Sequence, residues 1–211
     1  IIDGNDKHPD CVFVEDQAIV IEGKVLLPRP GHESRVGEQL EIANFLGEQL
    51  AKTNLTTMLS PAKMDGGDLL RFDDRFYVGS SGRTNQEGIA ELRRFIEGLG
   101  YQLKEVEIPE NALHLTSISS TPSDKIVLAP EGFLSKDAFE PLPEGAEVLW
   151  MPSEEVYGCN TIGFADGTVL VAKGYPTVEK TLRERGFNVV LLEMSQIRAA
   201  DGSLTCCSIF Y

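Results

Sequence analysis

The chain repeats one order of elements about every fifty residues. Val12–Val14 and Ala18–Ile21 read as extended, and Glu22-Gly23 turns the chain into Lys24–Leu27. Within Glu33–Lys52, residues Val36, Leu40, Ala43, Leu46 and Leu50 fall at helical spacing, and Asn54–Leu59 reads as a strand. A second copy runs through Asp68–Phe72, a turn at Asp73-Asp74, Arg75–Val78, a helix from about Asn85 and the extended Tyr101–Ile108. A third has Leu113–Ser119, a turn near Ser123-Asp124, Lys125–Ala129, a weak helix near Ser135–Phe139, and Ala146–Met151. A fourth has Asn160–Phe164, Asp166-Gly167, Thr168–Ala172, a helix from Pro176 to Arg185, and Phe187–Glu193. The hairpin turns lie roughly 43 to 51 residues apart, a period that marks a repeat architecture in which neighbouring units bury each other's apolar faces.

Four ββαβ units are thus expected, with Thr205–Tyr211 as the opening strand of a fifth. A closed ring needs the remainder of that unit, and the expected source is chain ahead of Ile1, in keeping with the lack of an initiator methionine. The expectation is one domain over 1–211, incomplete at its N-terminus.

Charge narrows the partners. Asp and Glu number 33 against 19 Lys and Arg, a formal charge of −14. Such a surface repels phosphate backbones and anionic lipid and favours a cationic small molecule, although acidity also serves solubility alone. No run of about 18 apolar residues is present to span a membrane, and the first residues lack the pattern of a signal peptide. Four scattered cysteines, Cys11, Cys159, Cys206 and Cys207, suggest a reducing compartment rather than a disulfide framework or a zinc site. A cytoplasmic protein without metal or cofactor is the expectation, and a homodimer is compatible with it.

Polar residues recur near the opening strand of each unit. They are Asp10, Glu15 and Asp16 in the first, Asp65 and Asp68 in the second, His114 in the third, Asn160 in the fourth and Cys206 in the fifth. Equivalent positions in a ring converge on its axis, which would bring a thiol, an imidazole and several carboxylates together. Those are a nucleophile, a proton carrier and an anionic cradle, suited to attack on a cationic carbon. Each residue also has a plainer reading. His114, between Leu113 and Leu115, could be a satisfied structural histidine, and Cys206 and Cys207 could be core. Asp65-Gly66-Gly67-Asp68 could be a turn whose glycines supply positive φ, and Arg35 and Arg83 could be surface charges beside helices.

Five segments in their order carry a resemblance. Pro9-Asp10-Cys11-Val12-Phe13-Val14-Glu15-Asp16, Asp65-Gly66-Gly67-Asp68, Gly82-Arg83-Thr84-Asn85, Leu113-His114-Leu115 and Asp201-Gly202-Ser203-Leu204-Thr205-Cys206-Cys207-Ser208 resemble the dimethylarginine dimethylaminohydrolase family. The resemblance implies the pentein fold, a five-bladed α/β propeller of ββαβ units. It implies Cys206 as nucleophile, with Cys207 pointing away, His114 as general acid and base, and Asp65 as the carboxylate that orients it. Glu15 and Asp16 would hold the substrate guanidinium, Asp10 its α-amino group, Arg35 and Arg83 its α-carboxylate, and the backbone of Ala200 its amino-acid portion. The implied reaction converts methylated arginine to citrulline and an amine through a thiouronium on Cys206. The alternatives are a deiminase or hydrolase of arginine or another guanidine, and a non-catalytic binding protein on the same fold. The chain has no room for the helical insertion usual in arginine deiminases, and Asp201–Thr205 differs from the Gly-rich stretch usual in agmatine deiminases.

Overall fold

The computed structural model describes residues 4–49 and 54–210. Four small mixed sheets account for the repeat. The first unit comprises β1 (Ile19–Ile21), β2 (Lys24–Leu27), α1 (Gln39–Gln49) and β3 (Leu55–Thr57). The second comprises β4 (Leu69–Phe72), β5 (Arg75–Ser80), α2 (Gln86–Gly98) and β6 (Gln102–Glu107). In the third, a helical turn α3 (Leu115–Ile118) leads into β7 (Ser120–Ser123), β8 (Ile126–Pro130) and β9 (Glu147–Met151). The fourth holds β10 (Ile162–Gly163), β11 (Thr168–Ala172), α4 (Pro176–Glu184) and β12 (Asn188–Leu192), and a short α5 (Ser195–Ala199) follows. In every sheet the first two strands pair antiparallel and the third pairs parallel to the second. A hairpin needs only a tight turn, whereas the parallel partner needs a crossover, which is why each helix sits where it does. At Glu22 and Gly23, φ is 50° and 72°, the twist-compatible geometry of a two-residue hairpin loop.

The apolar cores are shared between units. Ile19, Ile21 and Leu26 of the first pack with Phe76, Ile89, Leu92 and Ile96 of the second. Leu70, Phe72 and Tyr77 of the second meet Leu115, Val127 and Ala129 of the third, and Ile126 and Leu128 of the third meet Val169, Val171 and Val178 of the fourth. No unit can bury its hydrophobic face alone, so the repeat is stable only as an array. β1, β4, β7, β10 and the segment Ser208–Phe210 all line one cavity of about 810 Å³. Among the described residues, no helix is long and apolar enough to cross a membrane.

Five local expectations are corrected. Val12–Val14 is not extended; the chain there forms two 3-10 turns, Pro9–Val12 and Val14–Gln17, whose carbonyls at Asp10 and Phe13 accept from Arg35. The first helix starts at Gln39 rather than Glu33, because Gly37 takes φ 103°, outside the right-handed helical region. Val36 and Leu40 are accordingly exposed, and Ile42 and Leu46 supply the buried face; the packing expected of Leu50, and the helix end at Lys52, lie outside the described residues. Leu113–Ser119 is not a strand but mostly the α3 turn. Ser135–Phe139 forms turns instead of a helix, in a stretch broken by Gly132 and Gly145 at positive φ and by Pro141 and Pro143, yet Leu134, Ala138 and Phe139 still cover the core. Thr205–Cys207 is a 3-10 turn, and Ser208–Phe210 is irregular, so no fifth opening strand forms among the described residues.

The entry to α2 joins two units to the loop that carries Arg83. Asn85 caps the helix by accepting from the Gly88 N–H at 2.9 Å, accepts from the Lys63 N–H at 2.9 Å, and donates to the Pro61 carbonyl at 2.9 Å. Replacing Asn85 with Ala should lower unfolding free energy by about 1–3 kcal/mol in denaturant titration; a change within a few tenths would deny the cap its role.

Candidate active site

A polar cluster beside the cavity comes from the segments just ahead of the opening strands, and Glu15, Gly66, Thr116 and Thr205 extend it into the cavity wall. Glu15 and Asp16 precede β1, Asp65–Asp68 precedes β4, His114 and Thr116 precede β7, Asn160 precedes β10, and Cys206 sits in the last turn. Apart from the two helices, each corrected segment holds or adjoins one of these polar groups. Their hydrogen bonds to backbone compete with strand formation, and so bend the chain before each strand begins.

His114 is buried, and its Nε2 lies 3.1 Å from Asp65 Oδ2, with Asp16 Oδ1 3.9 Å from Nδ1. Asp65 is also fully buried and accepts from the Gly31 N–H at 2.7 Å and from Arg83 Nη1 at 3.3 Å. Burial would drive the imidazole towards its neutral form. The hydrogen bond to Asp65 and the fields of Asp16, Asp68 and Asp65 outweigh that, and its pKa is pushed up to about 9. Asp65 in turn is held below the usual carboxylate range against the effect of its burial, by the hydrogen bond to His114, by the charge of His114 and by the Gly31 N–H. At neutral pH, His114 is therefore an imidazolium.

Glycines 66 and 67 make this approach possible, and for a different reason than a turn would require, since neither has positive φ. A Cβ at Gly66 would stand 2.1 Å from the Glu15 carbonyl oxygen, and one at Gly67 2.7 Å from His114 Nδ1. The Gly67 N–H donates to Asp16 Oδ1 at 2.9 Å, and the Gly67 carbonyl accepts from Thr116 at 2.8 Å. The motif is a close crossing of backbones beneath the imidazole.

Cys206 lies in a half-buried turn with Ser203 Oγ 3.3 Å from its sulfur. Burial first, and the nearby charges of Glu15 and Asp16 after it, push its thiol up to about 12. Glu15 itself is pushed up to about 7, by burial and by the charge of Asp16, against the opposing influence of Thr205 and His114. Thr205 Oγ1 donates to Glu15 at 3.0 Å, so the residue beside the cysteine is tied to the acid cluster. Asn160, almost wholly buried, donates to the Thr116 carbonyl at 2.7 Å and to Thr205 Oγ1 at 2.8 Å, and accepts from the Thr205 N–H at 3.1 Å. One amide thus holds the turn after His114 to the turn that carries Cys206. Cys207 is exposed.

The other expected residues are placed differently. Arg35 is not a surface charge. It is buried with Nη1 2.6 Å from Asp16 Oδ2 and Nη2 2.5 Å from Glu38 Oε1, and its Nη2 also donates to the Asp10 and Phe13 carbonyls. Its pKa is raised above the ordinary arginine value: the carboxylates of Glu38 and Asp16 outweigh burial. Arg83 is about a quarter exposed and faces the cluster through Asp65. Asp10 and Ala200 are exposed, the latter at the end of α5 beside Asp201, whose φ is 60°. Sequence reasoning missed Glu38, Thr84, Thr116 and Thr205 as partners in the cluster. Thr84 and Thr205 lie inside segments that stood out, whereas nothing about Glu38 or Thr116 separates them from other polar residues.

Asp16, Asp65 and His114 offer ligand atoms within 4.8 Å of one another. Those atoms are already matched among themselves and to Arg35, Arg83 and two backbone amides, an arrangement suited to holding a proton rather than a cation. The mixed α/β units thus carry a buried cluster of carboxylates and one imidazole, with a thiol close by.

Comparison with known proteins gives the chain a family. No family model matches the chain. A dimethylarginine dimethylaminohydrolase of Pseudomonas aeruginosa is 30% identical over 205 residues, covering 97% of this chain and 78% of the relative. One from Streptomyces coelicolor is 29% identical over 208 residues, 99% of this chain and 77% of its own length. A crystal structure of a dimethylarginine dimethylaminohydrolase adduct with S-methyl-L-thiocitrulline superposes with a TM-score of 0.87 at 28% identity, over 96% of this chain and 77% of the other. The chain belongs to the dimethylarginine dimethylaminohydrolase family and has its α/β fold.

Two outcomes follow from the geometry. Gly67→Ala should displace the His114 ring and lower kcat by about 10²-fold, since misplacement of about 1 Å costs that much; full activity in that variant would contradict the crossing described. Alkylation of Cys206 in the ligand-free protein, followed by peptide mass spectrometry, should still accelerate above about pH 8.5, the ordinary cysteine pKa. A plateau below neutrality would mean a preformed thiolate.

Proposed function

We propose that this protein hydrolyses Nω-methylated arginine to citrulline and methylamine or dimethylamine, with Cys206 as the nucleophile. The observation that carries the reading, in a chain of this family, is the cluster of Glu15, Asp16, His114 and Asp65, with Cys206 beside Thr205, which donates to Glu15; Glu15 and Thr205 also line the cavity. Family membership supports the broader class, an enzyme acting on the guanidino group of a small arginine-like molecule. The acid cluster favours the methylarginine cation over any anionic substrate. We also take 1–211 as one catalytic domain and the four sheets as blades of a five-bladed α/β propeller. The cavity lined by all four opening strands and Ser208–Phe210 supports this arrangement.

The chemistry follows from the protonation states. A guanidinium carbon is deactivated by resonance and needs a thiolate. The Cys206 thiol is neutral at rest because two carboxylates and burial oppose its charge. A guanidinium bound to Glu15 and Asp16 cancels that opposition, so the substrate itself promotes ionisation, and the thiol proton leaves to solvent because His114 already carries one. Sγ then bonds to the guanidinium carbon, the bond to the dimethylamino nitrogen breaks, and His114 gives its proton to the departing amine. That leaves a thiouronium on Cys206 and a neutral imidazole. His114 next takes a proton from water, and the hydroxide oxygen adds to the carbon. The carbon–sulfur bond then breaks as the hydroxyl proton passes to the sulfur, releasing citrulline and the thiol with His114 again protonated. Asp65 holds the imidazole through both proton transfers. Asp10 serves the α-amino group, Arg83 and Arg35 the α-carboxylate, and the Ala200 backbone the amino-acid portion. Of these, Arg35 would have to share its guanidinium with Asp16 and Glu38.

Incubation with asymmetric dimethylarginine, arginine and agmatine in parallel, with quantitation of citrulline and amine, tests the proposal. Citrulline and dimethylamine should form from the methylated substrate, and Cys206→Ser should lose more than about 10³-fold in kcat. Ammonia from arginine as the preferred reaction would move the protein to the deiminases. No product from a folded protein would leave a binding role.

A further inference from the structure

Asp68 is wholly buried and has no part in the steps above, yet three donors converge on its carboxylate. Oδ1 accepts from the Leu115 N–H at 3.1 Å, and Oδ2 accepts from Ser81 Oγ at 2.5 Å and Thr84 Oγ1 at 2.6 Å. Leu115 is the residue after His114. Thr84 Oγ1 accepts in turn from the Asp65 N–H at 3.4 Å, and Ser81 Oγ from the Arg83 N–H at 3.0 Å. One carboxylate is therefore joined to the backbone on both sides of the His114–Asp65 contact and to the loop that aims Arg83. Space for it is reserved: a Cβ at Gly79 would stand 2.8 Å from Asp68 Oδ1 and 2.9 Å from Leu115 Cβ. Burying a charged group is costly, and an apolar residue would fill the position without that cost, so the carboxylate calls for a role that packing alone does not supply.

We infer that Asp68 is a positioning residue for the acid–base step: its carboxylate fixes the turn behind His114 to the loop of Ser81, Arg83 and Thr84, and its charge is part of the field in which the imidazole works. This rests on the reading of His114 as acid and base. The charged and titratable groups acting on His114 are Asp65 and Asp68 from the turn ahead of β4 and Asp16 and Glu15 from the turn ahead of β1. Arg83 and Arg35 act through Asp65, and Arg35 also through Asp16. Burial pushes the Asp68 carboxyl up to about 6, while His114, Ser81, Thr84 and the Leu115 N–H oppose the rise, so it is ionised in the range where His114 titrates. Its charge then adds to those that keep His114 protonated.

Asp68→Asn keeps the shape and an acceptor for Leu115 and removes the charge. The imidazole of His114 is followed by NMR titration, with His8→Gln and His32→Gln to assign the three histidines. The midpoint of His114 should fall by about one unit, and the high-pH limb of kcat on dimethylarginine should move down with it, with KM changed less than kcat. Asp68→Ser, which removes the same charge with a smaller side chain, should shift both in the same direction, and it carries the test if the Asn variant does not fold. An unmoved midpoint in folded variants overturns the inference and leaves the acid–base reading of His114 intact. A midpoint that moves while the kcat limb of the unaltered protein ignores His114 overturns that reading, and the inference with it.

Discussion

The contact between Asp65 and His114 organises the rest of the site. An imidazolium buried among carboxylates is tolerable only if its charge is matched and its remaining polar atoms are satisfied. Each neighbouring feature answers that demand. His114 itself and the Gly31 N–H keep Asp65 ionised, Gly67 yields the space for the ring, and the Asp16 carboxylate lies 3.9 Å from the second ring nitrogen. Because these groups come from different units, the contact also joins the first, second and third units. The shared apolar cores bring the units side by side, and the polar cluster fixes their register.

The same electrostatics decide how the cysteine works. A site that holds histidine as a cation often pairs it with a thiolate. Here the excess of carboxylates has opposite effects on the two groups: it raises His114, favouring its charge, and raises Cys206, opposing its charge. The resting pair is thiol and imidazolium. In the proposed reaction, a guanidinium in the cradle removes that opposition and makes the thiol reactive. Arg35, buried against Asp16 and Glu38, limits the net negative charge so that the cradle remains tolerable when unoccupied.

The repeat was readable in sequence wherever a strand or helix answers only to burial. β2, β11 and α2 fall within a residue of their expected bounds, because Lys24–Leu27, Thr168–Ala172 and the Ile89, Leu92, Ile96 face carry clean periodicity. The segments that misled, Val12–Val14, Leu113–Ser119 and Thr205 onward, look like strands by their apolar content. They hold or adjoin Glu15, His114 and Cys206, and local polar bonding overrides the pattern there, as at a site that sacrifices local consistency for chemistry. That Glu15, Asp16, Asp65 and His114 lie close together was legible from their equivalent positions in the repeat. The burial of Arg35 was not, since it depends on Glu38 and on two carbonyls turned inward by 3-10 geometry that sequence does not announce.

The central claim is that Cys206 attacks the guanidinium carbon within this carboxylate frame. Rapid acid quenching during turnover of dimethylarginine, followed by peptide mapping, tests it most directly. The account predicts a covalent adduct with the mass of the substrate less dimethylamine on the peptide containing Cys206, absent from Cys206→Ser. Steady turnover with an unmodified Cys206, or an adduct on Cys11, Cys159 or Cys207, would contradict it.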